Sequence, residues 1–420
     1  MSRLIAALLA AASCAGIAQA QTSPPIAADD VITLDDALAQ AGATSPSTEV
    51  AGAGVRAAEA GRTVAGLRPN PTLNAETENV VGTDPYRGFS QSETTIGFSM
   101  PIELGGKRGA RIGVADARTA RARLDAAIAL ADLRLRVTQA YIEAVAAERR
   151  LAVAQEQLRI ADEALRVAKD RVMVGATSPI DEQRAAVQQI NARAEVERAT
   201  RAVEVARANL GRLVGSPISG RLDTVWFDRT GTFGPEAPVA ADGTLAYAAA
   251  SADLSIADAN VRLARSQRIP DLTVSAGARR LQATNDTAAV LGVSIPLPFF
   301  NNGRAGIAQA TAERDQADAR RRVARVDAEQ EIARARADRD NAAASVRASG
   351  PALEAALEAA RIARIGYGQG KFDQLILLEA ERTLAETRAA AIEALVQYHD
   401  AVARLARLTA PAPDVSGDIK

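Results

Sequence analysis

From Leu130 the apolar residues fall at alternating steps of three and four: Leu130, Leu133, Val137, Ala140, Ala144, Ala147, Leu151, Ala154, Leu158, Ala161, Leu165, Ala168 and Val172. Such a seam predicts a long helix packed lengthwise against others in a left-handed supercoil. No proline lies between Lys107 and Val174, and glycine occurs there only at Gly109 and Gly113, so one helix can run the whole stretch. At a rise of ~1.5 Å per residue it would be about 100 Å long, which predicts an elongated, helix-walled molecule. A second seam, Leu377, Ala380, Leu384, Thr387, Ala391, Ala394, Tyr398, Ala401, Leu405 and Leu408, predicts a returning helix near the end of the chain. Ser349-Gly350-Pro351 interrupts the helical pattern before it and predicts a kink or break there.

Elsewhere the period is two. Leu73, Ala75 and Thr77 alternate with Asn74, Glu76 and Glu78, and Ile96, Phe98 and Met100 with Thr95, Gly97 and Ser99. Later Leu272, Val274, Ala276 and Ala278 alternate with Thr273, Ser275, Gly277 and Arg279, and Leu291, Val293 and Ile295 with Gly292 and Ser294. These predict two hairpins of strands, each strand with one apolar and one polar face. Each hairpin leads through a Pro/Gly-rich link into a long helix, Pro101-Ile-Glu-Leu-Gly-Gly-Lys-Arg108 in one case and Pro296-Leu-Pro-Phe-Phe-Asn-Asn-Gly-Arg304 in the other.

The two halves match at one spacing. Gly97 and Gly292, Pro101 and Pro296, Gly175 and Gly370, and Leu210 and Leu405 are all 195 apart (292 − 97, 296 − 101, 370 − 175, 405 − 210). A constant spacing over more than a hundred residues points to an internal duplication of a β-hairpin plus an α-hairpin. The predicted organisation is a signal peptide over 1–20 and a first repeat over 21–213, with strands in 71–101 and an α-hairpin over 105–213. An irregular connector over 214–243 follows, then a second repeat over 244–409, with strands in 270–296 and an α-hairpin over 303–409, and a disordered tail over 410–420. Helices are also predicted at Leu34 to Ala43 and Val50 to Leu67, the second stopped by Arg68-Pro-Asn-Pro71. The α-hairpins turn at Val174-Gly-Ala-Thr-Ser-Pro179 and at Gly366-Tyr-Gly-Gln-Gly-Lys371.

Composition narrows the function. The chain is 48% hydrophobic but only 3% aromatic, as Ala-rich packed helices require, and its net charge of −1 gives no footprint for nucleic acid. Arg320, Arg321, Arg322 and Arg325 are interleaved with Asp315, Asp318 and Asp327 and read as a solvated helix face. Met1 to Ala20 has Arg3, an apolar run and Ala18-Gln19-Ala20 before Gln21, the pattern of a cleaved secretory signal. Lipidation at Cys14, the only cysteine, is the competing pattern, but Ala11-Ala12-Ser13 lacks the large aliphatic residue expected before it. His399, the only histidine, is expected to be structural, and no catalytic, cofactor-binding or metal-binding constellation is present.

Four amphipathic strands cannot close a membrane barrel, because unpaired backbone groups in hydrocarbon each cost several kcal/mol and the smallest single-chain barrels have about eight strands. Three such chains would supply twelve, with the helices continuing as a tube. The duplicated unit is similar to the TolC family of outer-membrane efflux channels. Arg68-Pro-Asn-Pro71-Thr-Leu73 and Pro101-Ile-Glu-Leu-Gly-Gly-Lys-Arg108-Gly-Ala-Arg111 resemble the family's cobalt–zinc–cadmium resistance branch. The resemblance implies a mainly α fold with a small membrane β portion, a homotrimer with a twelve-stranded barrel in outer-membrane lipid, and an α-helical barrel crossing the periplasm. It also implies hairpin tips that dock a periplasmic adaptor (membrane fusion) protein, itself linked to a proton-driven inner-membrane RND pump, for export of heavy-metal cations.

Carried over by position, the docking tips are Val174, Gly175, Thr177, Gly368, Gly370 and Lys371. In the family a tyrosine and two acids close the periplasmic mouth; Tyr367 and Glu379 take the tyrosine and second-acid positions, and Ile376 the first-acid position. Asp373 and Asp181, near the turns, are the remaining gate candidates. The alternatives are an organic-compound or multidrug channel of the same family, and a periplasmic coiled-coil adaptor or surface fibre. An adaptor would carry one α-hairpin flanked by β domains, whereas two α-hairpins, each behind a β-hairpin, favour a conduit.

Overall fold

A computed structural model of the chain describes residues 31–231 and 240–413. The signal segment, Cys14 and the end of the tail lie outside the described residues. Two long α-hairpins dominate: α3 (Lys107–Met173, 67 residues) turns into α4 (Pro179–Val214), and α7 (Arg304–Gly368, 65 residues) into α8 (Gln374–Leu408). The lengthwise packing follows from the seams, since Leu133, Val137, Ala144, Ala147, Ala154 and Ala168 of α3 are all buried. Alanine at most of these positions lets the helix axes approach closely, so burial here relies on many small contacts.

At one end sits a four-stranded antiparallel sheet, built from β2 (Thr72–Glu78), β3 (Glu93–Ile102), β5 (Leu272–Leu281) and β6 (Asp286–Ser294) in the order β2-β3-β5-β6. The strands of both halves therefore join through β3 and β5, leaving β2 and β6 as open edges. Three shorter helices complete the frame: α1 (Leu34–Thr44), capped by a reciprocal Thr33–Asp36 box, α2 (Pro46–Ala65) and α6 (Leu245–Gln267). Pro46 opens α2 at its first turn, where a missing N–H costs nothing.

Over 214–231 the connector is more ordered than its Gly and Pro content predicts. Strand β1 (Val31–Ile32) pairs in parallel with β4 (Arg221–Leu222), and one helical turn, α5 (Thr224–Asp228), follows. Tyr141 of α3 fixes both segments: its hydroxyl donates to the Ile32 carbonyl at 2.8 Å and accepts from the Asp223 N–H at 2.9 Å. Burial pushes the Tyr141 hydroxyl up to about 12. Beside it His399 of α8 stacks on Trp226, with ring centroids 4.4 Å apart, and lies 5.3 Å from Phe227, while its Nε2–H donates to the Phe227 carbonyl at 2.8 Å. The histidine is structural, as its isolation in the sequence predicts.

His399 also makes stability depend on pH. Burial holds its imidazole below the ordinary value of about 6.5, because the charged form would lose its water; the bond to Phe227 and the charge of Asp228 oppose this only in part. The unfolded chain therefore gains a proton before the folded chain does. The contribution is complete above about 6.5 and is lost as pH falls. Thermal unfolding in detergent is expected to start at lower temperature as pH drops from 7 to 5.5, and His399→Phe to flatten that slope. An equal slope in the variant would assign it to other groups.

Two expectations are corrected. Pro351 does not break α7, which continues from Arg304 to Gly368. Losing the proline N–H leaves only the Arg347 carbonyl without its helical donor, and Arg347 is exposed, so water can serve it. The tail is not free from its start: Pro411 bridges to Thr244, and the Ala412 N–H donates to the Gly243 carbonyl at 3.2 Å.

Candidate functional site

Register turns the period-two patterns into two chemically opposite faces. Leu73 faces Phe98, Phe98 faces Ala276, and Ala276 faces Leu291 straight across the sheet. These positions alternate with Asn74, Gly97, Gly277 and Val290, also in register. The apolar face is uncovered: Leu73, Phe98, Leu291 and Val293 are 64%, 63%, 82% and 69% exposed. Leaving such a surface in water forfeits about 25 cal/mol per Å², so it belongs against lipid. With ten residues each, β3 and β5 have the length of a tilted membrane strand. The opposite face carries Arg279, which bonds Glu93 at 2.8 Å, Glu78 at 3.3 Å and the Thr95 hydroxyl at 2.9 Å, a wet, charge-paired surface. Among the described residues no helix is long and apolar enough to cross a membrane.

At the far end the two α-hairpin turns share one backbone design. Gly175 and Gly370 adopt φ of +70° and +72°. In each turn the next residue donates its N–H back to the helix, Ala176 to Arg171 and Lys371 to Gly366, both at 2.8 Å. This closure satisfies the last helical carbonyls and needs a left-handed residue, hence glycine. Ser178 and Asp373 then cap α4 and α8. A side chain added at Gly175, Gly368 or Gly370 would meet only open space, so the tips are bare backbone. Met173, Val174, Ile180 and Leu375 surround them, 79%, 77%, 54% and 64% exposed. Lys371 is exposed too, while Thr177 is half-buried with its hydroxyl unpartnered.

The gate candidates do not form one cluster. Tyr367 is buried among Val167, Ala363, Leu377 and Ala380. Arg171, which the sequence did not single out, crosses from the other hairpin: its guanidinium lies 4.2 Å over the Tyr367 ring, and its Nη2 donates to the Tyr367 carbonyl at 2.6 Å. Glu379 is exposed and pairs with Arg382 one turn along its own helix at 3.0 Å. Asp373 spends its carboxylate on the Gln374 N–H at 2.6 Å, and the Asp181 carbonyl accepts from the Gln374 side chain at 3.3 Å. The buried acid is instead Glu381, whose two carboxylate oxygens accept from Nε and Nη2 of Arg364. Its signal in the sequence was a carboxylate between Leu377 and Leu384 at seam spacing. Among the described residues no group of His, Cys, Asp and Glu could hold a metal ion.

Comparison with known proteins agrees with this geometry. The model of the family described as outer membrane efflux protein matches residues 37–216 and 241–410. The cobalt-zinc-cadmium resistance protein CzcC of Cupriavidus metallidurans is 31% identical over 390 residues, covering 90% of each chain. The nickel and cobalt resistance protein CnrC of the same organism is 34% identical over 291 residues, covering 69% of each. Among solved structures, the outer membrane protein VceC of Vibrio cholerae shares the fold with a TM-score of 0.74 at 20% identity, over 90% of this chain and 96% of that one. The chain belongs to the outer membrane efflux protein family, whose members are transport proteins of the outer membrane.

Proposed function

We propose that three copies of this chain form the outer-membrane conduit of a heavy-metal export system, passing divalent cations such as cobalt, zinc, cadmium or nickel. The observation that carries the reading is the four-stranded sheet with an uncovered apolar face and two open edges, continued by helices of 67 and 65 residues. Three sheets joined edge to edge close a twelve-stranded barrel and leave no unpaired strand in lipid. The helices continue it as a tunnel on the periplasmic side. The choice of metal cations is supported by kinship with resistance proteins named for cobalt, zinc, cadmium and nickel.

In this reading the tips around Gly175 and Gly370 dock a periplasmic adaptor joined to an inner-membrane RND pump. Exposed Met173, Val174 and Leu375 beside bare backbone give a partner both apolar area and free hydrogen-bonding groups. The conduit is passive: ions pass through it, and the pump supplies the energy. Deleting the gene is expected to lower the tolerated concentration of cobalt, zinc, cadmium or nickel several-fold while leaving tolerance of dyes and detergents unchanged. The reverse pattern would make this an organic-compound channel.

A further inference from the structure

The chain is a duplicate of itself, so the joint between its halves is a template for the joint between copies. This inference rests on the trimeric reading above and deepens it. The structure fixes the correspondence independently of residue identity. Thr72 opposes Ser99 in the first hairpin and Thr273 opposes Ser294 in the second. The left-handed glycines 175 and 370 and the caps Ser178 and Asp373 match in the helical tips. From β3 to the end of α4, position n therefore corresponds to n + 195 in the second half.

Within the chain the joint runs between α8 and α3. Three residues of α8 seven apart face α3 along it: Glu393 pairs with Arg150 at 3.2 Å, Asp400 accepts from Gln139 at 2.6 Å, and Arg407 donates to Asp132 at 2.5 Å. Their counterparts on α4 are Arg198, Val205 and Arg212, and those of their partners on α7 are Ser345, Arg334 and Asp327. One pair keeps its chemistry at both ends. Arg407 and Asp132 correspond to Arg212 and Asp327 (407 − 212 and 327 − 132 are both 195).

Inside one copy these two lack each other. Arg212 donates only to Asn209 of its own helix, Asp327 has no ion pair or side-chain hydrogen bond among the described residues, and both are exposed. They sit on the outer flanks of α4, which packs on α3 and α1, and of α7, which packs on α8 and α6. Val205, two turns before Arg212 on the same face of α4, and Val326, next to Asp327 in the sequence, are 59% and 49% exposed. We infer that Arg212 forms an ion pair with Asp327 of the partner subunit, repeated at each boundary of the ring, with the flanking valines buried there.

The sheet supports the same boundary. Phe98 of β3 opposes Ala276 of β5. The correspondence carries β3 onto β6 and β5 onto β2, the latter by 201 (273 − 72). It sets Val293 of one copy opposite Ala75 of the partner subunit, and both belong to the apolar face. A wrong correspondence by one residue would have put one of them on the wet face.

The test is a thiol cross-link in full-length protein carrying Cys14→Ser, which removes the only cysteine. With Arg212→Cys and Asp327→Cys together, a short bismaleimide is expected to convert monomer into covalent dimer and trimer on denaturing gels. Arg407→Cys with Asp132→Cys should link only within a chain and leave the mass unchanged. In parallel, Arg212→Asp should lower the temperature at which the detergent-extracted trimer dissociates, and adding Asp327→Arg should restore it. A wild-type trimer by mass that neither cross-links through this pair nor recovers in the charge swap overturns the inference and spares the trimeric reading. A wild-type monomer overturns both.

Discussion

Gly366→Val is expected to disorder the second hairpin tip and abolish metal resistance while leaving the assembly of the proposed trimer intact. Gly366 lies inside the last turn of α7, and a Cβ there would overlap the Phe372 ring. Phe372 folds back across that turn, with its own N–H and that of Lys371 both donating to the Gly366 carbonyl. Ring and side chain cannot share the space, so the turn must open. Overpacking of this kind costs about 1–3 kcal/mol, and the released Phe372 adds the loss of its own contacts. The end of a hairpin has few other contacts to absorb the strain, so the damage stays local. Limited proteolysis between Gly366 and Asp373 should accelerate at least tenfold. Gly368→Ala is the control: its added methyl meets open space, and alanine favours a helix over glycine by about 1 kcal/mol, so protection should hold or rise. Equal protease sensitivity in both variants would mean that the Phe372 contact does not hold the tip.

Gly366 marks where the sequence stops being legible. The turn itself was readable, because glycines cluster there between two apolar seams, but nothing in the spacing says that one glycine takes the left-handed conformation and another makes room for a ring. Strand faces were readable because a period of two leaves only two choices for every side chain. Helix seams were readable for the same reason at a longer period. What failed were contacts between elements distant in sequence. Arg171 and Tyr367 lie in different repeats, and no periodicity connects them. Glu379 matched a family position, and two residues, about half a turn of helix, separate this exposed carboxylate from the buried Glu381 that faces Arg364, a contact the spacing does not announce. Pro351 does not end the helix for a different reason: the local rule was sound, but the face of α7 on which it lies is exposed, so the unpaired carbonyl carries little cost. The order found in 214–231 comes from Tyr141 and His399, which reach it from α3 and α8.

These cross-repeat contacts set the second large effect. Arg171→Ala is expected to raise the conductance of the purified channel in a planar bilayer several-fold. The guanidinium bond to the Tyr367 carbonyl is charge-assisted and contributes about 1.5–3 kcal/mol, and its position over the ring adds about 0.5–1 kcal/mol. It joins the end of α3 to the end of α7, so in the trimeric reading it ties the two hairpin tips of each copy together where the tunnel must narrow. Three copies opening together would multiply the loss. The link uses the backbone carbonyl and the face of the ring, not the tyrosine hydroxyl, so Tyr367→Phe should conduct as wild type while Tyr367→Ala should resemble Arg171→Ala. Glu379→Ala removes only a same-helix ion pair on an exposed, solvent-screened surface and should leave the closed mouth intact. If Glu379→Ala opens the channel and Arg171→Ala does not, closure is held by Glu379 pairing with a donor on a neighbouring copy, and the Arg171 link is a brace within each copy.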